Sequence, residues 1–144
     1  MLYYFHYFLM YNMKKVLKIK SISENLRSVE KFVDEVATDL SLTDEIYGNL
    51  LIATLEAANN AIQHGNKGQK DKEVNIVLKK EKYRIILRVQ DQGSGFDYKS
   101  IPDPTSPENI EKINGRGVFL MQKLSDQIEF FENGRIVQLT FSLK

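Results

Sequence analysis

Three short segments carry side chains whose types and spacing could do chemistry. The first reads Glu56-Ala-Ala-Asn-Asn60-Ala-Ile-Gln-His64-Gly65-Asn66. Asn49, Ala53, Glu56, Asn60 and His64 recur at three- and four-residue steps, so a helix would place them on one face. Ile46, Leu50, Ala57 and Ala61 flank that face on one side, and Leu51, Leu55, Ala58 and Ile62 on the other. The result is a narrow polar seam on a largely buried helix. Glu56 and Asn60 offer two hard oxygen donors one turn apart, which suits Mg²⁺. Taken alone, the seam also fits a solvated helix face.

The second segment is Asp91-Gln92-Gly93-Ser94-Gly95-Phe96-Asp97. Tyr83, Ile85, Leu87 and Val89 alternate as one face of a strand, and Asp91 continues that face. A carboxylate at the edge of an apolar face needs a hydrogen-bond donor, and an adenine amino group is one suitable donor. Gly93 and Gly95 would let the backbone turn and approach a ligand closely. A plain strand-exit turn with a local Asp bond is the alternative. The third segment, Asn114-Gly115-Arg116-Gly117, is expected to open a helix. Free amides at a helix start bind anions, and Arg116 adds a positive charge. A simple helix-entry loop remains open here. The segment lacks the GK[ST] ending of a P-loop, and no strand of a βαβ unit precedes it.

These segments need elements to hold them. Lys14 to Ile22 has a strand pattern. A helix should follow, with Ser21 or Ser23 as its cap, and Ser21 with Glu24 at capping-box spacing. Leu26, Val29, Phe32, Val33, Val36 and Leu40 form its apolar stripe. Thr43, Asp44 and Glu45 open the longer helix that carries Glu56 and Asn60, and Gly65 is placed to end it. Two alternating runs, 74–78 and 83–89, form a hairpin around Glu81-Lys82. Residues 92–114 are expected as a loop, with Pro102, Pro104 and Pro107 inside it. A helix from about Gly117 to Ser125 precedes two strands, 127–132 and 136–143, joined at Asn133-Gly134. The order β-α-α-β-β-loop-α-β-β predicts an α+β fold. It is a two-layer α/β sandwich, with a mixed, mostly antiparallel sheet and helices on one face.

Composition narrows the function. The chain has 144 residues and no cysteine, which excludes disulfides, Cys-ligated zinc, iron–sulfur clusters and thiol catalysis. His6 and His64 are the only histidines, so a His-rich metal cluster is excluded too. A net charge of +1 lacks the basic excess of a general nucleic-acid binder. Residues 1–12, MLYYFHYFLMYN, form an aromatic leader too short to span a bilayer. It reads as an upstream start with Met13 the first residue proper, or as an added strand or docking segment, or as a membrane anchor. Residues 13–144 are expected to form a single domain.

In this order, the segments resemble the GHKL superfamily of ATPases, and within it the serine-kinase anti-sigma factors of bacteria. The run from Glu56 to Asn66 is similar to the N box of that family, Asp91 to Asp97 to its G1 box, and Gly115-Arg-Gly-Val-Phe-Leu-Met121 to its G2 box. The resemblance spans roughly residues 14–144. It implies an ATP-dependent serine/threonine kinase using ATP and Mg²⁺. Asn60 would hold Mg²⁺, and Glu56 would take the proton from a substrate serine. Asp91 would bind the adenine amino group, helped by Gly93 and Gly95. Gly115, Arg116 and Gly117 would wrap the phosphates, and residues 98–114 would be an ATP lid. It also implies a cytoplasmic protein, usually a homodimer. Its partners would be an anti-anti-sigma protein as substrate and a sigma factor, with no nucleic acid or membrane among them. His64, which ends the N box, would be structural or support the site. Two alternatives stand beside this. One is an ATP-binding partner switch with little kinase activity. The other is a detached histidine-kinase catalytic domain, which the absence of a phosphoacceptor helix disfavours.

Overall fold

The structure is a computed structural model, and it describes residues 1–4, 12–95 and 113–143. Alternation of apolar and polar residues builds its strands. These are β1 (Met13–Lys20), β2 (Glu73–Glu81), β3 (Arg84–Gln90), β4 (Gln127–Phe131) and β5 (Ile136–Ser142). They form one five-stranded sheet in the order β1-β2-β3-β5-β4. The expected sheet was mixed and mostly antiparallel; every pairing among the described strands is antiparallel.

The register carries apolar rows straight across one face. Leu17 pairs with Ile76, Ile76 with Val89, Val89 with Val137, and Val137 with Phe130. A second row runs through Leu78, Leu87, Leu139 and Ile128. Because side chains alternate between faces, a one-residue slip would turn both rows to the other side of the sheet.

Helices α1 (Leu26–Leu40), α2 (Asp44–Asn60) and α3 (Ile113–Leu124) supply the second layer. Val29, Phe32, Val33 and Val36 of α1 join Leu50, Ala53, Ala57 and Ala58 of α2, and Val118 and Met121 of α3, in the same core as the sheet rows. The α2 helix packs against both of the others. Its small alanines permit that close approach. Thr43 caps α2 as expected, its hydroxyl accepting the Ile46 N–H at 3.3 Å.

The capping box expected at Ser21 is not made. The chain passes through a short 3₁₀ turn at Ser23–Asn25, and no side chain caps the start of α1. Ser21 is buried, and its hydroxyl donates to the Ile62 carbonyl at 3.4 Å. The reason lies beyond α2, where the helix widens into a π turn, Ala61–Gly65. Such a turn shifts the backbone pairing by one residue, and a tertiary donor from Ser21 meets one of its carbonyls.

The third helix also differs from expectation. It begins at Ile113, not near Gly117, so Asn114 to Gly117 lie inside it and not in a loop before it. Of the expected loop and lid, residues 96–112 lie outside the described residues, and so do residues 5–11 of the aromatic leader. Met1 to Tyr4 are exposed. No helix among the described residues is long and apolar enough to cross a membrane.

The two sides of α2 should respond differently to truncation. Leu50 is fully buried (0%), whereas Ile52 is 45% exposed. Leu50→Ala is expected to cost about 2–5 kcal/mol of stability. Ile52→Ala should cost less than about 1 kcal/mol. Urea unfolding of the two variants checks this; equal losses would contradict the packing described.

Candidate functional site

The site grows from the end of α2. Glu56 and Asn60 sit one turn apart on that helix, both half-buried. The π turn then carries the chain to Gly65, with His64 exposed on it. Asn60 meets the first turns of α3. A methyl group added at Gly117 would lie 2.6 Å from Asn60 Nδ2 and 3.1 Å from its Oδ1. The helix backbone can therefore approach Asn60 only because residue 117 lacks a side chain.

The first four N–H groups of a helix have no partner within it. In α3 these belong to residues 113–116, which include Gly115 and Arg116. Moving the helix start to Ile113 thus keeps amides of the Gly-Arg-Gly segment at an anion-favouring helix end.

On the other side of the π turn lies Asp91, just beyond β3. The strand parity holds: Ile85, Leu87 and Val89 are buried, and Asp91 follows them at 7% exposed. Its backbone N–H donates to the Arg135 carbonyl at 3.0 Å. Its carboxylate Oδ1 accepts the Gly93 N–H at 2.8 Å. A side chain at Gly65 would overlap the Asp91 carboxylate, and one at Gly93 would overlap the Gly65 carbonyl. These two glycines let the strand exit and the helix exit touch. Gly95, at φ +86°, sits against the Asn133 carbonyl in the β4–β5 turn.

Burial pushes the Asp91 carboxyl above the ordinary carboxylate range. The Gly93 N–H and the charges of Arg135 and Lys72 act against that shift without cancelling it. Among the described residues no group of three or more His, Cys, Asp or Glu converges to hold a metal. A cation here would rely on Asn60, with water or a ligand's oxygens completing its shell, as Mg²⁺ commonly does.

The structure therefore brings Asn60 and Gly117 together along the α2–α3 contact, with Glu56 one turn earlier on α2, Asp91 and Gly93 against Gly65 of the π turn, and Gly95 against Asn133 of the β4–β5 turn. Gly115 and Arg116 are placed by their backbone at the start of α3. Phe96 and Asp97 of the second segment, and 98–112 of the expected lid, lie outside the described residues. Sequence reasoning gave no part to Asn66, Gln92 or Arg135, each bonded within this constellation. Asn66 stood in the first segment, directly after Gly65, but nothing in its spacing showed that its amide would turn inward.

The chain is similar to proteins of one family. The profile of the histidine kinase-like ATPase domain matches residues 19–141. The "Serine-protein kinase RsbW" of Bacillus pumilus is 29% identical over 128 residues, covering 83% of this chain and 79% of that protein. The protein of the same name from Listeria monocytogenes (strain EGD-e) is 27% identical over 112 residues, covering 73% and 71%. That from Bacillus subtilis is 27% identical over 118 residues, covering 78% and 74%.

The Asp91 environment sets a pH dependence. A carboxyl whose pKa is raised by folding stabilises the fold below its ordinary pKa, and that contribution is lost as pH rises through the raised value. At neutral pH the ionised group weighs against the fold. Asp91→Asn keeps a carbonyl oxygen for the Gly93 N–H and removes the charge. Its melting temperature should equal or exceed that of the unmutated chain at pH 7, and the gap should close on acidification towards the ordinary carboxylate range. Thermal melts across that range check it; a variant less stable at neutral pH would contradict the burial argument.

Proposed function

The chain belongs to the histidine kinase-like ATPase family, and from that premise we propose that it is an ATP-dependent protein serine/threonine kinase acting as an anti-sigma factor. It phosphorylates an anti-anti-sigma protein and sequesters a sigma factor, in the cytoplasm and as a homodimer. The observation that carries this reading is the close approach of Gly117 of α3 to Asn60 of α2, one helical turn after Glu56, with the buried carboxylate of Asp91 against Gly65 at the end of the π turn. The names of the relatives, serine-protein kinases, support the choice of reaction.

The roles follow from chemistry. Asp91 accepts a hydrogen bond from the adenine amino group, and Gly93 and Gly95 let the backbone beside it turn towards the base. The first amides of α3, with Gly115, Arg116 and Gly117, receive the phosphates. The Asn60 amide oxygen would hold Mg²⁺, which when bound would neutralise charge on the phosphates. Glu56 accepts the proton of the substrate hydroxyl. The serine oxygen then bonds to the γ-phosphorus as the bond to the bridging oxygen breaks, and ADP leaves. Such transfer depends on positioning and charge neutralisation, so one base, one amide ligand and a row of backbone donors form a sufficient set.

Two measurements test the reading. Mg-ATP at ~100 times its dissociation constant should stabilise the fold by about 2.7 kcal/mol. For a domain near this size that raises the melting temperature by about 5–10 °C. No rise at millimolar ATP would overturn the assignment. Glu56→Ala should keep that rise and lose at least about a hundredfold in phosphate transfer to the anti-anti-sigma protein. Full transfer by the variant would remove Glu56 as the base.

A further inference from the structure

Ser21, Thr54, Asn66 and Asp91 are buried polar residues of the described chain. Thr54 bonds within its own helix, to the Leu50 carbonyl at 2.6 Å. Ser21 reaches the π turn, as described above. Asn66 does something different. It is fully buried (0% exposed) and joins the π turn to the start of β2 and to the chain just beyond β3.

Its backbone N–H donates to the Ala61 carbonyl at 2.8 Å, closing the π turn. Its side-chain Nδ2 donates to the Glu73 carbonyl at the start of β2, at 3.0 Å. Its Oδ1 accepts the Gln92 backbone N–H at 2.7 Å. Gln92 completes the link, its Oε1 accepting the Glu73 N–H at 2.8 Å. The peptide groups on both sides of Asp91 are thereby tied. The N–H of Asp91 is held by Arg135, and the next N–H by Asn66.

We infer that Asn66, assisted by Gln92, is a positioning residue that sets the base selectivity of the nucleotide site. This rests on the reading of Asp91 as the adenine-recognising group. A carboxylate in a fixed place can accept from the amino group of adenine. Guanine presents a carbonyl oxygen at that point, and two acceptors repel. Guanine's nearest ring N–H and amino donors lie to one side, so a carboxylate free to shift could meet them instead. The clamp removes that freedom. Asn66 and Gln92 need touch no ligand; they act through where they hold Asp91.

The test uses the full chain, with Mg-ATP and Mg-GTP binding measured by calorimetry at a temperature where circular dichroism shows each variant folded. Asn66→Ala leaves the half-buried Gln92 N–H and Glu73 carbonyl without that partner. It should weaken ATP binding roughly tenfold while GTP binding changes little, so the ATP/GTP preference falls by a similar factor. Gln92→Ala alters an exposed side chain. It should lower the preference in the same direction by roughly threefold, the scale of one net hydrogen bond. Its melting temperature should stay near that of the unmutated chain. If both variants keep the original preference, even with a lower melting temperature, Asn66 is merely structural and the inference is overturned. If Asn66→Ala does not fold, Gln92→Ala decides by itself, and an unchanged preference there overturns the inference equally. An unmutated chain that binds ATP no better than GTP would instead refute the role of Asp91, a failure visible before any substitution is made.

Discussion

A carboxylate at the end of an apolar strand face is the constraint on which the rest of the site depends. Asp91 continues the row of Ile85, Leu87 and Val89, and burial alone would drive its carboxyl towards the neutral form. The fold answers with one local donor, the Gly93 N–H, and two nearby cations, Arg135 and Lys72. These only partly offset the shift. Under the proposed function, the donor that completes the balance is the amino group of adenine. The approach also requires two residues without side chains, Gly65 and Gly93, where helix exit and strand exit meet.

The α2 helix ties this local arrangement to the stability of the whole sheet. One side of it, through Leu50, Ala53, Ala57 and Ala58, lies in the core with the apolar rows of β1, β2, β3 and β5. Another side presents Glu56 and Asn60. A helix that packs on both α1 and α3 cannot shift its polar seam without disturbing the core. The seam therefore gains its precision from apolar packing on the opposite side. The π turn that follows adds local curvature, and it is held from three directions: Ser21, Asn66 and the close contact with Asp91.

Individual residues show how far local rules reach. Strand parity placed Asp91 correctly, because a period of two leaves no choice of face once the neighbouring residues are buried. Thr43 capped α2 as its type and position imply, since a cap is satisfied within one turn of chain. The turn at Asn133-Gly134 formed with φ of 57° and 84°, but it is wider than the expected tight turn: Glu132 is left-handed too, and residues 132–135 link the paired Phe131 and Ile136. Ser21 went the other way. Its capping-box spacing was real, but the Ile62 carbonyl, distant in sequence, competed for the same hydroxyl and won. The start of α3 was misplaced towards Gly117 because two glycines depress helix propensity locally, and packing on α2 outweighed that preference.

Sequence by itself determined the α+β class, the faces of the strands and the helical seam of Glu56 and Asn60. It also determined the family, whose motifs are contiguous runs of residues. All of these rest on periodicity or local spacing, which a linear chain displays openly. Tertiary structure alone decided the purely antiparallel pairing of the described strands, the contact between Gly117 and Asn60, and the meeting of Gly65, Asp91 and Gly93. It alone gave Asn66 its place, because that residue's side-chain bonds reach backbone groups at the start of β2 and just beyond the end of β3. Where a buried amide points depends on which carbonyl and which N–H the packed elements leave unpaired beside it, and that is settled only when the helices close on the sheet.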